Sequence, residues 1–200
     1  MTSRATRNYR RQEPASATGL ANAFEKNNAA QVAEILAEAP HLATDIDATG
    51  SSVAFFAARS SSAECLAVIL PFFDPLFQST DGTTALMHAA MGSNLDCMRL
   101  LLPLSDPNAQ ALNGWTALMR CCALGYFQGI ELLLPATDAS LQGRRSGRML
   151  AASDILADCG HARTPGGKLL FDRLKIAEER AAIASASLPC PASPARPLRL

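Results

Sequence analysis

Shifted by 32 residues, the sequence lies over itself without a gap. Gly50, Gly82 and Gly114 superimpose, as do Ala57-Ala58, Ala89-Ala90 and Cys121-Cys122, and then Ile69-Leu70-Pro71, Leu101-Leu102-Pro103 and Leu133-Leu134-Pro135. The register runs on through Asp74, Asp106 and Asp138 to Gln78, Gln110 and Gln142. A fixed period of this length constrains the fold more than any local propensity. It means that one supersecondary unit recurs, and that each copy buries its apolar face against the next.

Each copy opens with a Gly turn and then Ser52, Thr84 or Thr116, whose hydroxyl can accept from a free N–H at the start of a helix. A short apolar run with small residues follows. A polar break comes next (Ser61-Ser62, Ser93-Asn94, Gly125-Tyr126), and then a second run, "LDCMRLLL" in the middle copy, apolar at helical spacing. The Pro after that run cannot donate to the helix and ends it. Residues rich in Gly, Pro, Asn and Asp lead to the next copy. The unit is a helix, a turn, a helix and an extended loop, so the predicted class is all-α, a solenoid of about five helix-turn-helix units joined by short extended or β-turn loops.

These residues resemble the ankyrin-repeat family. Residues 83–102, "TTALMHAAMGSNLDCMRLLL", follow the family pattern with Ala85 in place of its Pro and Met87 in place of its His. Residues 115–134, "WTALMRCCALGYFQGIELLL", keep Gly125 at the family's inter-helix position. Where the family's His ties neighbouring loops, Met87 and Met119 imply apolar packing instead. The period of 32, one short of the usual ~33, implies a tightened Leu-Pro-x-x-Asp connection. The "LLLP-x-x-D" form resembles bacterial members.

The flanking copies are degenerate, as terminal units with one wet face should be. Residues 21–40 fit a helix pair with Val32, Ile35 and Leu36 facing the core. After an insertion around 143–149, residues 152–174 recover Gly160-His161 at the inter-helix turn, and a second insertion at 164–167 precedes a long last helix. The expected domain is 19–184, in units of about 19–49, 50–81, 82–113, 114–146 and 147–184. An Arg-rich tail (1–18) and a Pro/Ala/Arg-rich tail (185–200) have the composition of disordered segments.

Composition narrows the function. Hydrophobic residues make up 48%, ample for a core, and 18 basic against 18 acidic side chains leave the whole chain without bias toward nucleic acid or anionic membrane. No stretch approaches the ~20 apolar residues of a membrane span, and the N-terminal arginines (Arg4, Arg7, Arg10, Arg11) lack the apolar run of a secretory signal. A cytoplasmic monomer with reduced cysteines is expected; the alternative is export without a signal peptide, as a secreted effector.

Sites of chemistry are wanting. Cys121-Cys122 takes the small buried positions of a first helix, which favours packing over redox work. Cys65 and Cys97 sit in adjacent copies ~8–10 Å apart, too far to bridge. Cys159-Gly160-His161 has no companions to bind zinc, and "TPGGK" at 164–168 lacks P-loop spacing and reads as a helix start. No catalytic residue, metal or cofactor is expected.

The resemblance implies a binding module that holds a partner protein on the concave side, through the turn and the exposed side of the first helix. Carried onto this sequence, the partner-binding positions are Arg59, Thr80, Asp81, Thr83, Met91, Leu112, Asn113, Trp115 and Leu124, together with Ser51, Ser60, Gly92 and Ala123. Leu112, Trp115 and Leu124 supply apolar area and a candidate hot spot; Trp115 alternatively covers a neighbouring loop. Arg144, Arg145 and Arg148 form a basic cluster that either touches an anionic partner or is a solvated loop. The runner-up is a nucleic-acid or anionic-surface adaptor in which these arginines act with the Arg-rich tails.

Overall fold

The computed structural model describes residues 17–43, 52–60 and 63–186. The Gly50 turn, Ser51, the Ser61-Ser62 break, Cys190 and most of both tails lie outside them. Helix pairs follow in chain order: α1 (Ala17–Glu25) and α2 (Ala29–Glu38), α3 (Val53–Ser60) and α4 (Ala63–Ile69), α5 (Ala85–Met91) and α6 (Leu95–Leu101), α7 (Ala117–Leu124) and α8 (Phe127–Leu133), α9 (Ala152–Asp158) and α10 (Pro165–Ala186). Helix α1 begins within the segment read as the N-terminal tail, and α10 runs two residues past the expected boundary at 184. The first helices stack in the order α1, α3, α5, α7, α9, and the second helices in the order α2, α4, α6, α8, α10. The all-helical translational stack is as the sequence implies, apart from one two-stranded hairpin.

Local chemistry explains the units. Thr84 and Thr116 accept from the Met87 and Met119 N–H groups at 3.3 Å, and Asn28 and Asn94 cap α2 and α6 in the same way at 3.1 and 3.2 Å. Gly125 closes α7 in the left-handed region at φ 66°. The small pairs Ala57-Ala58, Ala89-Ala90 and Cys121-Cys122 are fully buried, which lets consecutive first helices approach closely. Met87 and Met119 are 1% exposed, so apolar packing occupies the place of the family's His.

The Pro after each second helix does not simply stop the chain. Three-residue 3₁₀ turns, Leu70–Phe72, Leu102–Leu104 and Leu134–Ala136, carry Pro71, Pro103 and Pro135 at their starts. The missing N–H breaks the α ladder, and the tighter winding takes over. Three residues on, the recurring Asp makes a local turn: Asp74, Asp106 and Asp138 Oδ1 each accept at 2.9 Å from the N–H two residues ahead.

The 143–148 segment, read as a loop, is a hairpin. Strands β1 (Gly143–Arg145) and β2 (Arg148–Leu150) pair antiparallel, with Ser146 and Gly147 at positive φ in the two-residue turn. Among the described residues it is the longest of three fingers. The shorter ones turn at Gly82 and Gly114, both at φ 78°. Backbone bonds join the fingers one to the next: Leu112 N–H donates to the Asp81 carbonyl at 2.8 Å, and Arg144 N–H to the Asn113 carbonyl at 2.7 Å. Gln110 adds its amide to the Gly114 and Gln142 carbonyls at 2.8 and 3.1 Å.

Candidate inner-face binding site

The fingers and the outward side of the first helices form one surface, the inner face. The 32-residue spacing sets Phe56 on α3, His88 on α5 and Arg120 on α7 in line along it. Phe56 is 40% exposed and leans on Phe24, with ring centroids 6.3 Å apart. His88 stacks on Phe55 at 4.8 Å and lies 3.4 Å from the Thr83 hydroxyl through Nε2. Arg120 places its guanidinium carbon 5.0 Å from the centre of the Trp115 ring.

Trp115 is held from several sides. Its indole N–H donates to the Arg144 carbonyl at 2.8 Å and its backbone N–H to Asn113 Oδ1 at 3.1 Å. Gly143 packs so closely that a Cβ there would sit 2.9 Å from the ring. The half-buried Trp therefore fastens the hairpin, the loop-covering role weighed from the sequence, and also carries Arg120 on its face.

The other expected contact residues separate into groups. Thr80, Asp81, Leu112, Asn113, Arg144 and Arg148 are exposed on the fingers, Leu112 most of all at 83%. Thr83 is only 4% exposed, and its hydroxyl donates to Asp81 Oδ1 at 2.7 Å; it shapes the finger from inside. Arg59 and Leu124 are exposed at the ends of α3 and α7, and Met91 is half-buried at the end of α5. Leu124 is a helix length, about 12 Å, from Trp115, so Leu112, Trp115 and Leu124 flank α7 and do not form one patch. Arg145 turns away to donate to Cys159 Sγ at 2.7 Å.

Electrostatics reinforce the layout. Asp81 lies below the ordinary carboxylate value, chiefly through the Ser79 hydroxyl, with Thr83 adding to it against the opposing pull of burial. Burial pulls His88 down, and the Arg59 and Arg120 cations act the same way against Asp81. Burial likewise lowers Arg120, with Asp81 opposing, though a guanidinium stays charged. Among the described residues no three His, Cys, Asp or Glu side chains gather in a metal-binding group. Among the described residues, Cys65, Cys97, Cys121, Cys122 and Cys159 form no disulfide with one another.

Residues 55–143 match the family described as Ankyrin repeats (3 copies). Over that span the sequence carries ankyrin repeats. No curated protein matches the sequence. Ankyrin repeats are in general protein–protein interaction modules and typically not enzymes. Among the described residues, no helix is long and apolar enough to cross a membrane.

Arg120 and His88 were legible as aligned positions but not as a site. That Arg120 rests on Trp115, and that among the described residues no ion pair answers it, emerges only when α7, its finger and the hairpin are assembled.

Proposed function

We propose that this ankyrin-repeat stack binds a partner protein on the inner face between Arg59 and the 143–150 hairpin, without catalysis. The observation that supports it best is the fixed presentation of unlike groups on one wall: Leu112 bare at a finger tip, Trp115 pinned by two hydrogen bonds, and Arg120 laid on its ring. Rigid aromatic and arginine side chains set in a polar rim are the usual carriers of interface energy. Pre-organisation by the inter-finger hydrogen bonds lowers the ordering cost of binding.

The test is affinity capture with the full chain against the Leu112→Ala/Trp115→Ala/Leu124→Ala variant, after circular dichroism shows that both are folded. The variant should lose the captured proteins. Recovery of the same set at the same yield refutes the surface. The adaptor reading draws on exposed Arg144 and Arg148, but Arg145 is engaged with Cys159 and the tail arginines lie outside the described residues. Steep weakening with salt and indifference to Trp115 would favour it.

A further inference from the structure

Although the chain is neutral overall, charge is unevenly placed on the helices that lead up to the hairpin. On α2, α4, α6 and α8 stand Glu34, Glu38, Glu64, Asp96 and Glu131, against the single base Arg99. Helices α3, α5 and α7 hold no acidic residue; they carry Arg59, His88 and Arg120. The hairpin beside them adds Arg144, Arg145 and Arg148.

Arg99 meets Asp96 at 3.5 Å, Arg173 meets Glu131 at 3.6 Å, and Lys175 meets Asp154 and Glu178 at 3.2 Å each. Among the described residues no ion pair involves Arg59, Arg120, Arg144, Arg145 or Arg148. Arg120 is the sharpest instance: it is half-buried, and its Nε is fully buried without a hydrogen-bond partner. The inner-face carboxylate near it is Asp81, and Asp81 Oδ1 already accepts from the Ser79 hydroxyl and from the Thr83 N–H and hydroxyl. A guanidinium partly withdrawn from water without a counter-charge is costly, and an incoming carboxylate would offset that cost.

We propose that the inner face takes an acidic segment of its partner, with one Asp or Glu carboxylate seated on Arg120 above Trp115 and neighbouring apolar side chains laid against Phe56 and Leu112. This rests on the protein-binding reading above. The planar guanidinium, its carbon 5.0 Å from the centre of the indole ring, carries a fork that suits two-point carboxylate recognition better than the point charge of a lysine would. A peptide is favoured over nucleic acid because the exposed Phe56, Leu112 and Leu124 interrupt the cations with apolar area that peptide side chains can cover.

The test is selection of random 12-residue peptides on the immobilised full chain, followed by fluorescence anisotropy with the synthetic consensus peptide. The selected pool is expected to be enriched in Asp and Glu over its input. Arg120→Gln should weaken the consensus peptide about tenfold, the scale of one lost charge-assisted pair, while the outward Arg173→Gln leaves it unchanged. Replacing the peptide's acids with Gln should abolish the difference between wild type and Arg120→Gln. A pool without acidic enrichment whose members still lose binding to Leu112→Ala overturns the acidic chemistry alone. Peptides indifferent to both Arg120→Gln and Leu112→Ala, or an empty selection, overturn the inner-face reading with it. A 30-residue oligothymidylate that binds more tightly than the consensus peptide and displaces it overturns the proposal in favour of nucleic acid.

Discussion

Glu178 on α10 holds the last helix pair together, and its removal is a quantitative test of that. One carboxylate oxygen accepts from the Ser153 N–H at 3.0 Å, and the other accepts from the Ser153 hydroxyl at 2.9 Å and from Lys175 Nζ at 3.2 Å. Ser153 is fully buried in the first turn of α9, so Glu178 satisfies that helix's start from a neighbouring element and lies where the helix dipole favours an anion. A hydrogen bond to a charged group contributes roughly 1.5–3 kcal/mol, whereas the half-exposed Lys175 pair contributes at most about 1 kcal/mol. The contributions overlap, so Glu178→Ala is expected to cost about 3 kcal/mol in all, which lowers Tm by roughly 6–12 °C at this chain length. Glu178→Gln keeps an acceptor for the Ser153 N–H and should lose about half of that. Urea unfolding is followed by circular dichroism and by the fluorescence of Trp115, the sole tryptophan. Contacts in such a stack run between neighbours, so the C-terminal pair should loosen first and the dichroism transition should move to lower urea than the fluorescence transition. A Glu178→Ala protein within 0.5 kcal/mol of wild type, with coincident transitions, would refute the reasoning.

Two further outcomes follow from burial. His88 is held below its ordinary 6.5 by desolvation and by Arg59 and Arg120, so on acidification the unfolded chain takes up a proton before the folded one; stability should be full above about pH 6.5 and decline below it. Tm measured from pH 7.5 to 5 should fall more steeply in wild type than in His88→Gln, and parallel curves would refute this. Burial pushes the Cys97 and Cys121 thiols up to about 12, so iodoacetamide at pH 8 should alkylate half-exposed Cys159 first among the described cysteines and reach the other two only in denaturant; equal labelling by mass mapping would contradict it.

The repeat made the stack legible because its small residues, its Pro and its turn Gly answer requirements set within one unit and its neighbour. Met87 and Met119 could be placed in the core for the same reason: they fill a position whose family occupant was known. Legibility ended where contacts cross units out of period. The 143–148 segment read as a loop, because the pairing that makes it a hairpin, Gly143 with Leu150 and Arg145 with Arg148, lies inside an insertion that the period cannot align. Thr83 looked available beside Asp81, yet it is buried beneath it. Gly129 stands where the two preceding units have Cys65 and Cys97; a Cβ would meet Tyr126 at 2.5 Å and Cys121 Sγ at 2.7 Å, a consequence of side chains peculiar to that unit.

The same distinction separates what builds this surface from what it recognises. Positions that repeat, such as Asp74, Asp106 and Asp138, are occupied by bonds within the chain and have little left to offer a partner. At one periodic site the residue changes from Phe56 to His88 to Arg120, and there the backbone needs nothing from the side chain, so its identity can vary from unit to unit. Arg120 is the member whose surroundings are least complete, with a ring beneath it and a buried Nε that has no hydrogen-bond partner. Where α3, α5 and α7 carry cations and no acid while α4, α6 and α8 carry acids, the local field steers an oppositely charged segment to the first helices before any contact forms.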